Sequence, residues 1–200
     1  MTKVAKKSLR DRCIEESLRI ISSDGVTNLS IREVARRLGV SHGAPYRHFA
    51  NRDALITEIA IRGLEVLREY VIDGVDYNTK TPQENFLHVC RNYVRFAMDQ
   101  HDYFQLILWT ELPQSTENYP MLVEGAKKVF GLVYDLIGHV SAQKGVNLDD
   151  QDAAVMHVFS TIHGFASLMS SGKMSVFDYK LEELEAQVDV IAQRLYDSYI

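Results

Sequence analysis

The sequence predicts an all-α chain. A small three-helix helix-turn-helix unit takes up residues 1–52 and a helical bundle residues 53–200, about nine helices in all. Three observations predict this. Apolar residues recur at the three- and four-residue spacing of a helix face, and no useful stretch alternates as a strand does. Capping residues stand where the apolar runs begin, and glycines where several of them end. No segment repeats at a period of about 20 to 50 residues, which argues against a solenoid.

The first helix is expected from about Lys7 to Ser22, with Ile14, Leu18 and Ile21 inward and Asp24-Gly25 ending it. Ser30-Ile-Arg-Glu33 reads as a capping box for the second, whose Ile31, Val34, Ala35 and Leu38 face inward until Gly39. Ser41 caps a short third helix from about His42 to His48, where Pro45 is tolerable at an early turn because its missing N–H is not needed, and Asn51 a long fourth that runs to about Asp73-Gly74. Residues 74–81 form a loop, and Pro82 suits the first turn of a fifth helix to about Gln100. A sixth spans His101 to Trp109, and residues 111–120 are a loop. The seventh spans about Met121–Gln143 and the eighth Asp149–Ser171; after a further loop the ninth runs from Leu181 to the end.

Composition narrows the class. The chain has 200 residues, 46% apolar and 24% charged, with four prolines. That suits a folded chain without long disordered linkers. Cys13 and Cys90 are the only cysteines, which leaves no disulfide framework and no cysteine zinc site. Both sit in helical patterns and are expected as buried free thiols of a cytoplasmic protein. No unbroken apolar run approaches the roughly 18 residues that span a bilayer. The basic start, MTKVAKKSLRDR, lacks the apolar stretch of a signal peptide. It is either a frayed tail or an arm for a polyanion.

The net charge of −5 hides a division: residues 1–52 hold eleven Lys and Arg against five Asp and Glu, and residues 53–200 eleven against twenty-two. A basic small end on an acidic large end is expected where one end meets nucleic acid.

The second and third helices carry the chemistry. Leu38-Gly39-Val40-Ser41 joins them, with Gly39 where a tight turn needs positive φ and Val40 plugging the turn from beneath. Such a unit lays its second helix in the major groove, about 12 Å wide, while the first braces the backbone. His42, Gly43 and Ala44 are small or polar and can approach base edges. Tyr46 and His48 can donate to phosphate, Arg47 can bond a guanine edge or a phosphate, and Arg32 and Arg52 flank the same groove. Backbone N–H groups at the Ser30 and Asn51 helix starts are ready phosphate donors.

Residues 29–56, LSIREVARRLGVSHGAPYRHFANRDALI, resemble the DNA-binding signature of the TetR family of bacterial regulators: a capped helix, A-x-x-L-G-V-S, Y-x-H-F, then N-R-x-x-L. The resemblance covers about residues 8–60. Ile162-His163-Gly164-Phe165 is similar to the W-H-G motif of one C-terminal subfamily, with Ile in place of Trp. The resemblance implies a homodimeric regulator, in most family members a repressor, on a near-palindromic double-stranded DNA operator. It further implies a small-molecule effector in the C-terminal body, whose binding usually shifts the fourth helix and spoils the half-site spacing. By position it implies Arg32, His42, Gly43, Ala44 and Arg47 for base reading. It implies Ser30, Ser41, Tyr46, His48 and Arg52 for phosphate.

Aromatic and Met side chains crowd residues 86–169. They are either ordinary core or the wall of a pocket for a largely apolar ligand, with Tyr93, Phe96, Tyr103, Trp109, Phe130, Tyr134, Phe159 and His163 as candidate lining. The last two helices are the expected dimer surface. Phe159, Ile162, Ala166 and Met169 form one seam and Leu184, Val188, Ile191 and Leu195 the other, unless one of them packs within the subunit. Ser170-Ser-Gly-Lys173 has an S-x-x-K spacing but lies at a helix end without supporting elements. His157 and His163 are six apart, not the three or four that place two metal ligands on one face. Neither an enzyme, a metal nor a cofactor is expected.

Overall fold

A computed structural model describes residues 7–109, 119–145, 151–177 and 181–199, with a few side chains near segment ends left out. The predicted loop at 111–120 and residues 1–6 of the basic start fall mostly or wholly outside that range.

Eight α-helices are present among the described residues, with no strand. They are α1 (Leu9–Asp24), α2 (Ile31–Leu38), α3 (Arg52–Ile72), α4 (Pro82–Asp99), α5 (His101–Trp109), α6 (Pro120–Lys144), α7 (Gln151–Ser170) and α8 (Leu181–Tyr199). Helical periodicity therefore named the class and nearly the count. The expected third helix over His42–His48 is instead a turn followed by a 3-10 helix at Pro45–Arg47. Its cause is local. An α-helix needs the amide of residue 45 to bond the Ser41 carbonyl, and proline has no N–H. The Ser41 carbonyl accepts from Ala44 N instead, at 3.0 Å.

The chain divides into two compact units, residues 1–63 with 102–123, and residues 64–101 with 124–200. In the first, α1 packs on α2 and buries Cys13, Ile14, Ser17 and Ile20. Ser8 caps α1, its Oγ accepting from Asp11 N at 3.1 Å. The core continues through Val34, Ala35, Phe49, Leu55, Ile56 and Ile59. Gly63 admits α5 closely: a Cβ there would stand 2.9 Å from the Tyr103 ring and 3.1 Å from Ile107.

In the second unit α4 packs against both α7 and α8. Phe86, Phe96, Val155, Ile162, Ala166, Val188, Ala192 and Leu195 fill the space between helices. Thr81 opens α4 with a complete capping box, Thr81 N donating to Glu84 at 2.7 Å and Glu84 N to Thr81 Oγ1 at 3.2 Å. Among the described residues α7 alone is long and apolar enough to cross a membrane by composition. Its Val155, Val158, Ile162 and Met169 are buried within the unit, as in a core helix. Cys13 and Cys90 are free and buried; burial pushes the Cys90 thiol up to about 12.

Candidate nucleic-acid interface

The helix-turn-helix corner is built from α2 outward. Ser30 caps α2, its Oγ accepting from Glu33 N at 3.1 Å. Gly39 ends the helix at φ 64°, ψ 34°, the left-handed geometry that glycine adopts without a Cβ penalty. Val40 N returns to Ala35 O at 3.1 Å, and Arg12 reaches across from α1 to the Leu38 carbonyl at 3.3 Å.

From this corner the segment 41–48 runs outward. Pro45 and, just beyond it, Phe49 are buried and anchor it. Ser41, His42, Gly43, Tyr46, Arg47 and His48 are exposed and Ala44 half-buried. An added Cβ at Gly43 would meet nothing within 4 Å. Seven of the sequence-predicted candidates thus lie on one short outward segment, and Arg32 is exposed on α2.

The arginines sort into two groups. Residues 1–63 contain nine. Arg10 pairs with Glu58, Arg19 with Glu16 and Arg62 with Asp11. Arg12 holds Leu38 O. Arg36 and Arg37 share Glu33, and Arg37 also meets Asp24. Arg52 donates to Leu29 O at 2.9 Å and Val26 O at 2.6 Å. Of these nine, only Arg32 and Arg47 make no side-chain hydrogen bond or ion pair among the described residues. Arg52, read from sequence as a phosphate contact, clamps the loop before α2.

Sequence reasoning missed the Glu33 cluster, although its spacing was available. Arg36 and Arg37 follow Glu33 by three and four residues, the intervals that meet on a helix face. The expected capping box is only half formed. The Glu33 carboxylate turns to the arginines, 2.7 Å and 2.6 Å from Arg36 and 2.8 Å from Arg37. Those bonds hold its carboxyl down at about 2. Among the described residues nothing accepts from the Ser30 N–H.

In the second unit four of the expected pocket residues meet. Phe159 stacks on His163 with ring centroids 5.5 Å apart and touches Phe130 at 5.1 Å and Tyr93 at 6.0 Å. Tyr93 Oη lies 3.0 Å from His163 Nδ1. The others lie elsewhere. Phe96 is buried against Tyr70. Tyr134 donates to Asp152 at 2.5 Å, beside an open groove of about 400 Å³ edged by Asp135, His139 and Gln151. Tyr103 belongs to the first unit, and the Trp109 side chain is outside the described residues. No cluster of three or more metal-ligating side chains occurs among the described residues.

The expected dimer seams turn inward. Ile162, Ala166, Met169, Val188 and Leu195 are buried within the unit, and Phe159 and Ile191 are half-buried. The Leu184 side chain is outside the described residues. Periodicity identified the apolar faces, but α4 covers them. Met156, Leu168 and Val190 point out, 54%, 51% and 42% exposed.

Known proteins agree with this architecture. The family model described as bacterial regulatory proteins, tetR family, matches residues 14–59. The model described as tetracyclin repressor-like, C-terminal domain, matches residues 86–191, more than half of the chain. An uncharacterized HTH-type transcriptional regulator of Haemophilus influenzae is 24% identical over 185 residues, covering 92% of this chain and 94% of its own. A tetR-family regulatory protein from Rhodococcus RHA1 superposes with a TM-score of 0.78 at 16% identity, over 96% of this chain and 98% of its own. The transcriptional regulator FadR of Bacillus subtilis, solved in complex with stearoyl-CoA, superposes at 0.73 and 16% identity, over 95% and 98%. Corner, bundle and matched families converge: the chain belongs to the TetR family of bacterial transcriptional regulators.

Proposed function

We propose that the chain is a repressor that binds a near-palindromic operator as a homodimer and is released by a small, largely apolar ligand. Residues 1–52 read the DNA; residues 53–200 sense the ligand and dimerise, in the cytoplasm. One observation carries this reading: of the nine arginines in residues 1–63, seven engage carboxylates or carbonyls of the chain, and Arg32 and Arg47 are exposed and have no side-chain partner among the described residues. They stand with Ser41, His42, Gly43, Tyr46 and His48 on the outward side of a helix-turn-helix corner. Arg32, His42, Gly43, Ala44 and Arg47 read base edges; Ser30, Ser41, Tyr46 and His48 hold phosphates. Arg52 acts on DNA only by fixing the loop that carries Ser30.

Ligand entry is assigned to the second unit, at the Tyr93, Phe130, Phe159 and His163 cluster. Aromatic walls with few polar groups suit an apolar ligand. The long acyl chain held by the Bacillus subtilis FadR supports that class. A second copy covers Met156 and Leu168 of α7 and Val190 of α8, exposed apolar side chains on two helices that pack together.

The test is an electrophoretic mobility shift on the chain's own upstream region at two salt concentrations. A shift whose affinity falls steeply with salt is expected, since phosphate neutralisation releases counterions. Absence of binding to every near-palindrome there, or binding indifferent to salt, overturns the reading.

A further inference from the structure

Glu33 sits on the DNA-facing helix, yet its charge opposes a polyanion. Arg32 and Arg36 are one turn apart on α2, on the side away from buried Ile31, Val34 and Ala35. Arg32 is free among the described residues. Arg36 is held in a two-point grip, Nε to Oε2 at 2.7 Å and Nη2 to Oε1 at 2.6 Å. The Arg36 side chain is still 69% exposed, so the protein does not bury it; only Glu33 engages it. Arg37 differs, being 28% exposed and tied also to Asp24 and Glu16.

We propose that Glu33 limits the affinity of the interface by holding Arg36 back from the DNA backbone. It rests on the DNA-binding reading given above. Both partners are charged and the grip is bidentate, the strong form of such a bond. A phosphate must compete with it, so Arg36 adds little to binding in the native chain. A phosphate contact carries no base information. Glu33 therefore lowers binding to all duplexes alike and leaves the choice of sequence to Arg32 and the segment 42–47. The regulator stays releasable and is not sequestered on bulk DNA.

The experiment measures affinity over a salt series on two duplexes of equal length, the upstream near-palindrome and a scrambled sequence. Wild type is compared with Glu33→Gln, Glu33→Ala, Arg36→Ala and the double variant Glu33→Gln/Arg36→Ala, with thermal melting to confirm folding. Both Glu33 variants should bind both duplexes roughly three- to tenfold tighter at low salt, with a log–log salt slope steeper by about one, the effect of one added phosphate contact. Arg36→Ala alone should stay within about twofold of wild type, and the double variant should lose the gain. Folded Glu33 variants that bind no tighter, a gain that survives loss of Arg36, or a gain confined to the near-palindrome each overturn it. If wild type binds but the Glu33 variants gain nothing, this proposal alone fails. If wild type binds neither duplex, the DNA-binding reading fails with it.

Discussion

Tyr93 of α4 and His163 of α7 share a hydrogen bond of 3.0 Å inside the second unit. The hydroxyl donating to Nδ1, with Nε2–H toward Ser167 Oγ at 3.4 Å, satisfies all three groups at once. The imidazole is then neutral. Burial pushes its pKa below the ordinary histidine value and pushes the Tyr93 phenol up.

This pair predicts an acid-sensitive component of stability. The unfolded chain binds a proton on this histidine at a higher pH than the folded chain does. The contribution is complete above the unfolded value, about 6.5, and is lost progressively as pH falls from there through the lower folded value. Thermal midpoints of wild type and His163→Gln should therefore run parallel above pH ~7 and converge toward pH ~5. A gap that widens on acidification contradicts the burial account.

Arg47 and Arg52 should separate cleanly. Arg47→Ala should leave the thermal midpoint unchanged and weaken operator binding by about 1–3 kcal/mol. Arg52→Ala removes two charge-assisted bonds to Leu29 and Val26 and should destabilise the first unit by about 2 kcal/mol. Melting curves and mobility shifts on the same samples decide it. An Arg52 variant with native stability and lost binding returns that residue to the phosphate contacts.

The outward side of α7 should control assembly. Leu168→Glu places a charge where a second copy is proposed and should yield a folded monomer in sedimentation equilibrium. Ile162→Glu should instead unfold the protein, because Ile162 is buried within the subunit. A folded dimer from Leu168→Glu removes α7 from the interface.

Thr57 offers a stabilising substitution. It is buried in α3, and its hydroxyl has no hydrogen-bond partner among the described residues. Thr57→Val keeps the shape and removes the unsatisfied group, for a gain of about 1 kcal/mol, or ~2–4 °C in thermal midpoint. A lower midpoint shows that the hydroxyl is bonded in solution.

Where local chemistry decides, the sequence was legible. Gly39 has the left-handed turn expected of it, Ser30 and Asn51 cap their helices, and α5 spans the residues predicted for the sixth helix. Pro45 was visible too, but its effect depends on which carbonyl loses its partner. Side-chain competition was not legible. Ser30 and Glu33 have capping-box spacing, and two arginines outbid the backbone for the carboxylate. Nor does spacing say which neighbour covers an apolar face: Ile162 and Val188 point into the subunit because α4 is there, and α4 lies about sixty residues or more away in sequence. In α1 the buried line runs through Cys13, Ile14, Ser17 and Ile20; Cys13 and Ser17 flank the stripe expected from spacing, whose Leu18 and Ile21 are only half-buried.

The anchoring of the outward segment has an evolutionary consequence. Pro45 and Phe49 fix its path, and His42, Gly43, Tyr46, Arg47 and His48 add almost nothing to the core. On the DNA-binding reading proposed above, foldability and operator choice are thereby carried by different letters of one short stretch. Descendants of such a gene can then drift to new operators by changing the codons of His42, Gly43 and Arg47, without passing through sequences that fail to fold.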